Sequence, residues 1–291
     1  MAHVTRSDQD KLINSILDNK DTYILVQDIE LPKGIYESTA KNGWMDNWIK
    51  FEEFLYTGIP QFKIFTKGNG KLPFYSFSSL PGVTCPGAGD CLKFCYSFRS
   101  WRYPAAFFRQ IQNTILLMSD TGRKYLREEF NKLKPDHDFR LYVDGDFDSL
   151  ETMKFWMDLL KSRPDIRAYG YSKSWELFLQ YDKLYTFPDN YQLNLSSGSI
   201  YQNNKTILNQ LSKLPVYRGE FIALPSDKKM PNILEDRPSF TAWAKQLRQR
   251  AKLYGIKKAW VCPGKCGNCT PTGHACGSKR FKNVPIIIGI H

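Results

Sequence analysis

The segment FRLYVDGDFDSLETMKFWMDLLKSRPDIRAYGYSKS, residues 139–174, decides the fold class because it contains one complete strand–helix–strand unit. Apolar and aromatic residues concentrate at 139–143 and 166–171, which predicts two short buried strands. Between them, residues 150–161 repeat apolar side chains at helical spacing, directly after Ser149, a residue type that caps helices. A unit of this kind indicates a parallel sheet.

The same alternation continues on both sides of this segment. It predicts further strands at 72–77, 191–195, 216–223 and 258–261, and helices at 102–118, 123–133, 175–185, 205–214 and 240–254. Six strands that alternate with helices predict an α/β fold with a six-unit β/α partial-barrel-like core. Functional residues in such folds gather at the carboxyl ends of the strands, so the loops there are expected to line one mouth.

The chain is expected to have three parts. Residues 1–70 form an N-terminal α+β extension with a helix near 8–19 and a strand near 23–26. Residues 71–261 form the barrel-like core, and residues 262–291 form a cysteine-rich C-terminal cluster segment with a final strand.

All seven cysteines fall in two short windows, Cys85-x5-Cys91-x3-Cys95 and Cys262-x3-Cys266-x2-Cys269-x6-Cys276. Thiols packed this densely either ligate metal or pair as disulfides. A disulfide framework is typical of small secreted chains, whereas a chain of 291 residues can bury a large core without disulfide bonds. Metal binding is therefore favoured.

The two windows differ in the number of thiols. Four thiolates saturate a zinc ion or a [4Fe–4S] cluster, whereas three leave one position open for a cofactor or substrate. The glycines in Pro86-Gly87-Ala88-Gly89 allow a tight turn that exposes backbone amides to a cluster. We therefore expect two iron–sulfur sites, with zinc as the alternative at one or both; Asp90 or a water would be the fourth ligand of a zinc ion in the first window.

Two polar turns supply candidate site residues. Asp144-Gly145-Asp146 follows one predicted strand and is expected to bind a ribose hydroxyl or an amino group, with Asp146 also a candidate acid or base. Lys173, after the next strand, is expected to bind a carboxylate or phosphate and is the second catalytic candidate. The alternatives are a plain strand-to-helix loop for the acidic turn and a solvated lysine at position 173.

Charge and motif content restrict the class of protein. The chain carries a net charge of +12, which allows a nucleic-acid partner, although its dispersed basic residues are also typical of solvated helix faces. The amino terminus has no apolar signal segment and no stretch is long enough to span a bilayer. We therefore expect a soluble cytoplasmic protein without a membrane partner. No P-loop, dinucleotide glycine fingerprint, nucleophile elbow or HExxH occurs, and neither a small-molecule nor a macromolecular substrate can be named.

Several of these motifs together resemble the phage and plasmid family called gene product 88. The resemblance rests on the run Cys85-Pro-Gly-Ala-Gly-Asp-Cys91-Leu-Lys-Phe-Cys95-Tyr96, on Gly145-Asp146-Phe147, on Tyr171-Ser-Lys173-Ser and on the terminal Cys-Pro-rich cluster. It covers most of residues 72–276 and implies location in the host cytoplasm for a phage-encoded chain. It implies no particular activity.

More loosely, three cysteines after the first strand of a β/α barrel, with Phe94 directly before the third, resemble radical S-adenosylmethionine (SAM) enzymes. In that superfamily the open iron of a [4Fe–4S] cluster binds SAM, and an acidic glycine motif after the second strand helps to hold its amino group. Asp144-Gly145-Asp146 occupies the corresponding place. The superfamily's usual spacing is x3 then x2, whereas this chain has x5 then x3.

Taken together, the sequence predicts an iron–sulfur protein with two [4Fe–4S] sites and, by resemblance, a radical-SAM-like enzyme. One alternative is a zinc-stabilised nucleic-acid-binding protein, which the positive charge and the zinc-compatible cysteine spacing favour. The other is an iron–sulfur electron carrier or redox sensor that does not use SAM.

Overall fold

The chain divides into two compact units in a computed structural model. The described residues are 4–18, 29, 31, 33–36, 43–68, 72–267, 269–270 and 273–290. Unit 1 takes the described residues of Met1–Phe65, Ser78–Pro81 and Cys95–Leu133, and unit 2 takes those of Thr66–Phe77, Gly82–Phe94 and Lys134–His291. Each unit is built from different secondary structure.

Unit 1 is helical. Its α-helices are α1 (Arg6–Asp18), α2 (Lys33–Tyr36), α3 (Trp44–Thr57), α4 (Pro104–Met118) and α5 (Asp120–Asn131), and a 3-10 helix covers Tyr96–Arg102. Helix α4 begins at a proline, whose missing N–H is not needed in the first turn. Helix α5 begins after Ser119, whose side chain accepts from the backbone N–H of Gly122.

An aromatic core holds unit 1 together. Trp44 on α3 meets the rings of Phe107 and Phe108 on α4 at 5.6 and 5.9 Å, and Phe51 stacks on Phe108 at 5.4 Å. Such pairs contribute beyond the area they bury. The helix expected near 8–19 corresponds to α1, whereas the strand expected near Tyr23 to Val26 lies outside the described residues.

Unit 2 contains an eight-stranded sheet among the described residues. Its strands are β1 (Thr66–Lys67), β2 (Tyr75–Ser76), β3 (Asp138–Leu141), β4 (Arg167–Ser172), β5 (Tyr191–Ser196), β6 (Tyr217–Pro225), β7 (Trp260–Val261) and β8 (Ile286–Ile290). The order across the sheet is β1-β2-β3-β4-β5-β6-β8-β7, and every neighbouring pair is parallel except β1 with β2. The described α-helices of unit 2 are α6 (Leu150–Ser162), α7 (Trp175–Leu184), α8 (Lys205–Leu211) and α9 (Arg237–Leu253).

The α/β class, the mostly parallel sheet and the cysteine-rich C-terminal region are as expected, but the exact six-unit barrel is not confirmed. The strand expected at 258–261 is reduced to β7 at the sheet edge, and β8 takes the place beside β6. Side-chain chemistry explains the exchange. Ile286 and Ile287 are buried, as suits an inner parallel strand, whereas the exposed Lys257 and Lys258 precede β7 and suit an edge.

The two faces of the sheet carry different side chains. On one face, Phe139 packs against Trp156 of α6 and Tyr191 stacks with Phe178 of α7. The opposite face, called here the tyrosine face, carries residues that the strand register places side by side: Arg140, Tyr169, Tyr171, Asn194 and Phe221. This second face positions the cysteine-rich segment.

Within the part of the chain that is described, none of the helices combines the length and the hydropathy needed to cross a bilayer.

Candidate functional site

Asp146 joins two loops at the carboxyl ends of the strands. It is buried in the loop after β3, and its Oδ2 accepts from the backbone N–H of Lys173 at 2.6 Å and of Ser174 at 3.2 Å. Its Oδ1 accepts from the N–H of Phe147 at 2.8 Å. Burial raises the pKa of the Asp146 carboxyl, and the backbone hydrogen bond from Lys173 lowers it only in part. Its described contacts fix the loop after β4 to the loop after β3.

Lys173 extends this network to β5. Its Nζ donates to Oγ of Ser196 at 2.8 Å, and its backbone carbonyl accepts from Oγ of Ser199 at 2.9 Å. Asp144 is also buried, and Gly145 has a φ of 80°, which glycine adopts without steric cost. The candidate residues Asp144, Gly145, Asp146 and Lys173 therefore lie at one end of the sheet.

The loop that carries Cys85 and Cys91 is tied to the same end. The N–H groups of Gly89 and Cys91 donate to the carbonyl of Gly198 at 2.9 and 3.3 Å. The N–H of Asp146 donates to Oγ1 of Thr84 at 3.3 Å. A side chain at Gly87 would place its Cβ 1.9 Å from the carbonyl oxygen of Lys173, so only glycine fits there.

The first-window cysteines are divided between the two units. Cys85 and Cys91 belong to unit 2, where a 3-10 helix over Asp90–Lys93 follows the glycine turn. Cys95 opens the last segment of unit 1. All three thiols are half-buried.

The second window lies across the tyrosine face. Because it directly follows the strand expected at 258–261, the sequence predicted it among the loops at the carboxyl ends, and that prediction is wrong. Cys276 is buried in a cluster with Phe74, Tyr169 and Ile286, and the other three cysteines of this window pack against the same cluster. The carbonyl of Cys276 accepts from Nδ2 of Asn194 at 3.0 Å. The reason is topological. Because β7 and β8 are parallel neighbours, the chain between them must return to the amino end of β8, and the window lies in that connection.

Burial favours the protonated form of three thiols of this window. It raises the pKa of Cys262 to about 12 and that of Cys276 to about 11, and it also raises the pKa of Cys269. Backbone N–H groups already point at two sulfurs, since Gly264 donates to Sγ of Cys262 and Ala275 to Sγ of Cys269, both at 3.4 Å. Donors of this kind stabilise the thiolate form that metal binding requires.

His274 does not join this set of thiols. Its ring packs between Phe74 and Tyr169, its Nδ1 accepts from the N–H of Gly277 at 3.1 Å, and its Nε2 lies 3.4 Å from Oδ2 of Asp138. Burial raises the pKa of Asp138, but hydrogen bonds from His274 and Arg167 overcome this and leave it below the usual value. His274 therefore connects the window to the amino end of β3.

The arrangement around the second window is polar but not closed. Among the described residues, no group of three or more His, Cys, Asp or Glu side chains is arranged so that it could hold a metal ion. Three buried donors near the thiols, Oη of Tyr169, Nε1 of Trp260 and Oγ1 of Thr270, have no hydrogen-bond partner within the described part of the chain. Unpaired buried donors are costly, and acceptors placed among them would stabilise the fold.

Arg218 and Asn194 are important residues that the sequence reading missed. The Arg218 side chain is fully buried, and its Nε donates to Oδ1 of Asn194 at 2.7 Å. Arg218 could have been identified from the sequence, because a charged residue inside the apolar run of β6 is unusual.

A cavity of about 610 Å³ lies at the opposite end of the sheet from Asp146. It is bordered by residues before and at the start of β4 and β5 and by the end of the second window, including Lys161, Arg167, Asn190, Gly277 and Lys279.

Comparison with known families identifies the family of this chain. The gene product 88 family matches residues 56–275, well over half of the sequence. The chain belongs to the gene product 88 family. The match covers both cysteine windows except Cys276, and the family is one of phage gene products. No curated protein and no solved structure matches the chain. None of the comparisons supports the resemblance to radical SAM enzymes.

Proposed function

We propose that this gene product 88 family member is an iron–sulfur protein. In this proposal Cys262, Cys266, Cys269 and Cys276 hold one [4Fe–4S] cluster on the tyrosine face. The observation that carries it is the setting of the four thiols. They pack on one largely buried cluster of side chains, two of them accept backbone N–H groups, and unpaired buried donors lie beside them.

The donors favour an iron–sulfur cluster over zinc. A zinc ion with four thiolates offers only the cysteine sulfurs as acceptors, whereas a [4Fe–4S] cluster adds inorganic sulfides that also accept hydrogen bonds. Oη of Tyr169 and Nε1 of Trp260 are buried and need acceptors. Because the thiols are not arranged as ligands, loading must reorient the cysteine side chains.

The proposal retains a second cluster on Cys85, Cys91 and Cys95, on the ground that their spacing allows the set to close locally. Three thiolates leave one iron open, and this is the position at which SAM would bind. The parallel strands β2 to β6 and β8, which follow chain order across the sheet, support this part of the proposal. Asp144, Gly145 and Asp146 remain the proposed cofactor-binding residues, with Asp146 also the proposed acid or base. The Lys173 ammonium is the proposed group that meets a substrate anion.

Metal analysis tests the first cluster. Protein purified without oxygen from iron-replete cells should contain iron and acid-labile sulfide and show a broad absorption band at about 400 nm. Replacing Cys262 and Cys276 with serine should remove the share of iron that belongs to the second window, whereas Ser278→Ala, a control in the same segment, should not. Stoichiometric zinc without iron would overturn the proposal and favour a zinc-stabilised nucleic-acid-binding protein, which the net charge of +12 suits.

The SAM step has its own test. Reduced, reconstituted protein mixed with SAM should release 5′-deoxyadenosine, and Cys91→Ala should abolish the release. Intact clusters that neither bind nor cleave SAM would leave electron transfer or redox sensing as the role of the iron–sulfur protein.

A further inference from the structure

The 3-10 helix over Tyr96–Arg102 in unit 1 presents a row of exposed side chains. A 3-10 helix repeats every three residues and rises about 2.0 Å per residue, so Tyr96, Arg99 and Arg102 lie in one row about 6 Å apart. All three are exposed, whereas Trp101, which lies off this row, is buried. The pattern of exposure in this segment therefore follows the period of the helix.

A second exposed tyrosine extends the row. Tyr103 directly follows the helix, and the centroid of its ring lies 5.7 Å from the guanidinium carbon of Arg102. Tyr96 and Tyr103 are 57% and 61% exposed. Each ring therefore presents apolar surface that another flat group can cover. We call Tyr96, Arg99, Arg102 and Tyr103 the aromatic–basic row.

The positive charge of the row is not compensated by carboxylates. Within the described residues, neither Arg99 nor Arg102 lies at ion-pairing distance from an aspartate or a glutamate. The sequence contains no acidic residue between Asp90 and Asp120. Nε of Arg102 donates to the backbone carbonyl of Arg99 at 2.9 Å, which fixes this guanidinium along the row. Two neighbouring guanidinium groups without counter-charges attract polyanions.

The other aromatic side chains of the segment are already covered from within unit 1. The guanidinium carbon of Arg6 lies 3.5 Å from the centroid of the Phe98 ring and 4.3 Å from that of the Trp101 ring. Arg6 itself pairs with Asp10 at 2.8 Å, so it adds no net charge to this surface. The segment thus already stacks a flat cation on its rings, and the rings of the aromatic–basic row are the ones that remain exposed.

We propose that the aromatic–basic row binds single-stranded nucleic acid. The guanidinium groups contact backbone phosphates and the tyrosine rings stack on unpaired bases, which is how proteins hold single strands without sequence preference. An acidic peptide would pair with the arginines but offers few flat groups to two exposed rings, and the bases of a duplex are already stacked on one another. The net charge of +12 favours the same partner. The inference needs neither cluster and does not rest on the proposed function.

The stacking is tested by fluorescence anisotropy with the purified full-length protein and a labelled oligothymidylate of about 20 nucleotides, which is longer than a usual single-strand site. Tyr103→Ala should raise the dissociation constant about fivefold or more, because stacking on one base contributes at least this much. Tyr254→Ala removes a tyrosine of matching exposure, 63%, and should change the constant by less than about twofold. Iron per chain is matched between variants, because Cys95 adjoins the row.

The arginines are tested through the salt dependence of binding. Each phosphate contact to a single strand contributes about 0.7 to the slope of log K against log salt concentration, so Arg99→Gln combined with Arg102→Gln should reduce that slope by about 1.4. Lysine at both positions should keep the slope. Arg248→Gln, at an exposed arginine on α9, is the control and should also leave the slope unchanged.

Several outcomes overturn the proposal. These are the absence of binding at about 50 mM salt, an unchanged dissociation constant in Tyr103→Ala, and an equal loss of affinity in the control variants. Displacement of the oligonucleotide by a polyglutamate peptide of equal charge would instead indicate a surface for acidic proteins. Because the two tests use different residues, either one decides the proposal if the other variant does not fold. Loss of affinity in the row variants of a chain without iron supports the row and refutes only the proposed function.

Discussion

Asp146→Ala tests whether the carboxylate that joins the loops after β3 and β4 supports the fold. The substitution removes the acceptor of three backbone N–H groups, those of Lys173, Ser174 and Phe147. Ser174 keeps a second acceptor, because its N–H also donates to Oγ of Ser172 at 3.0 Å. The buried N–H of Phe147 and the part-buried N–H of Lys173 are therefore left unsatisfied.

The magnitude follows from those two donors. A buried donor without a partner costs about 1–3 kcal/mol, so the free energy of unfolding should fall by roughly 4 kcal/mol. That is a large fraction of the roughly 5–15 kcal/mol that a domain usually has. Denaturant unfolding followed by tryptophan fluorescence measures the change. Asp182→Ala, an exposed aspartate on α7, is the matched control and should stay within about 0.5 kcal/mol.

The opposite outcome is equally clear. The free energy of unfolding of Asp146→Ala could instead stay within about 1 kcal/mol of the parent value. If that variant also loses activity once a substrate is known, Asp146 is a catalytic group and does not anchor the loop. Equal loss of stability in Asp182→Ala would show that the assay reports general damage.

Three further perturbations probe other parts of unit 2. Gly87→Ala should destabilise the protein by about 3 kcal/mol or more, because its Cβ would collide with the carbonyl of Lys173; an unchanged midpoint in denaturant would refute the tight approach of the two loops. The pKa of Asp138 is lower in the folded protein than its unfolded value of 3.8, so the stabilisation from this carboxylate is present above pH 3.8 and is lost as the pH falls through the folded pKa. Asp138→Asn should therefore remove this part of the loss of stability in acid, which is measured by denaturant unfolding at a series of pH values. In the metal-free protein, alkylation of Cys276 by iodoacetamide should accelerate about tenfold per pH unit up to about pH 11, and a flat profile between pH 7 and 9, read by mass spectrometry, would contradict the raised pKa.

Local signals in the sequence predicted most of the individual elements. The helix expected at 150–161 is α6, and Ser149 caps it by accepting from the N–H of Thr152 at 3.1 Å. The strands expected at 166–171 and 191–195 are β4 and β5 to within one residue. These elements follow short-range periodicity and capping, which a single sequence contains.

Long-range pairing was harder to predict. The residues of Val284–Ile290 alone do not indicate that this strand inserts between β6 and β7. The placement depends on whether β7 or β8 is stabilised more when both of its faces are buried. The position of the second cysteine window and the burial of Arg218 both depend on this placement of β8. The shared position of Asp146 and Lys173 was easier to predict, since the carboxyl ends of neighbouring parallel strands must meet at one edge of the sheet.

The position of the second window also gives a physical reason for a metal there. A largely parallel sheet needs cover on both faces, and α6 and α7 supply it on the side of Phe139 and Tyr191. On the tyrosine face, the connection from β7 to β8 packs against Tyr169, and its described residues contain little regular secondary structure. A loop of this kind loses much conformational entropy on folding and returns few backbone hydrogen bonds of its own. Ligand bonds from four thiolates would compensate for both, because binding free energy at a site absent from the unfolded chain is folding free energy.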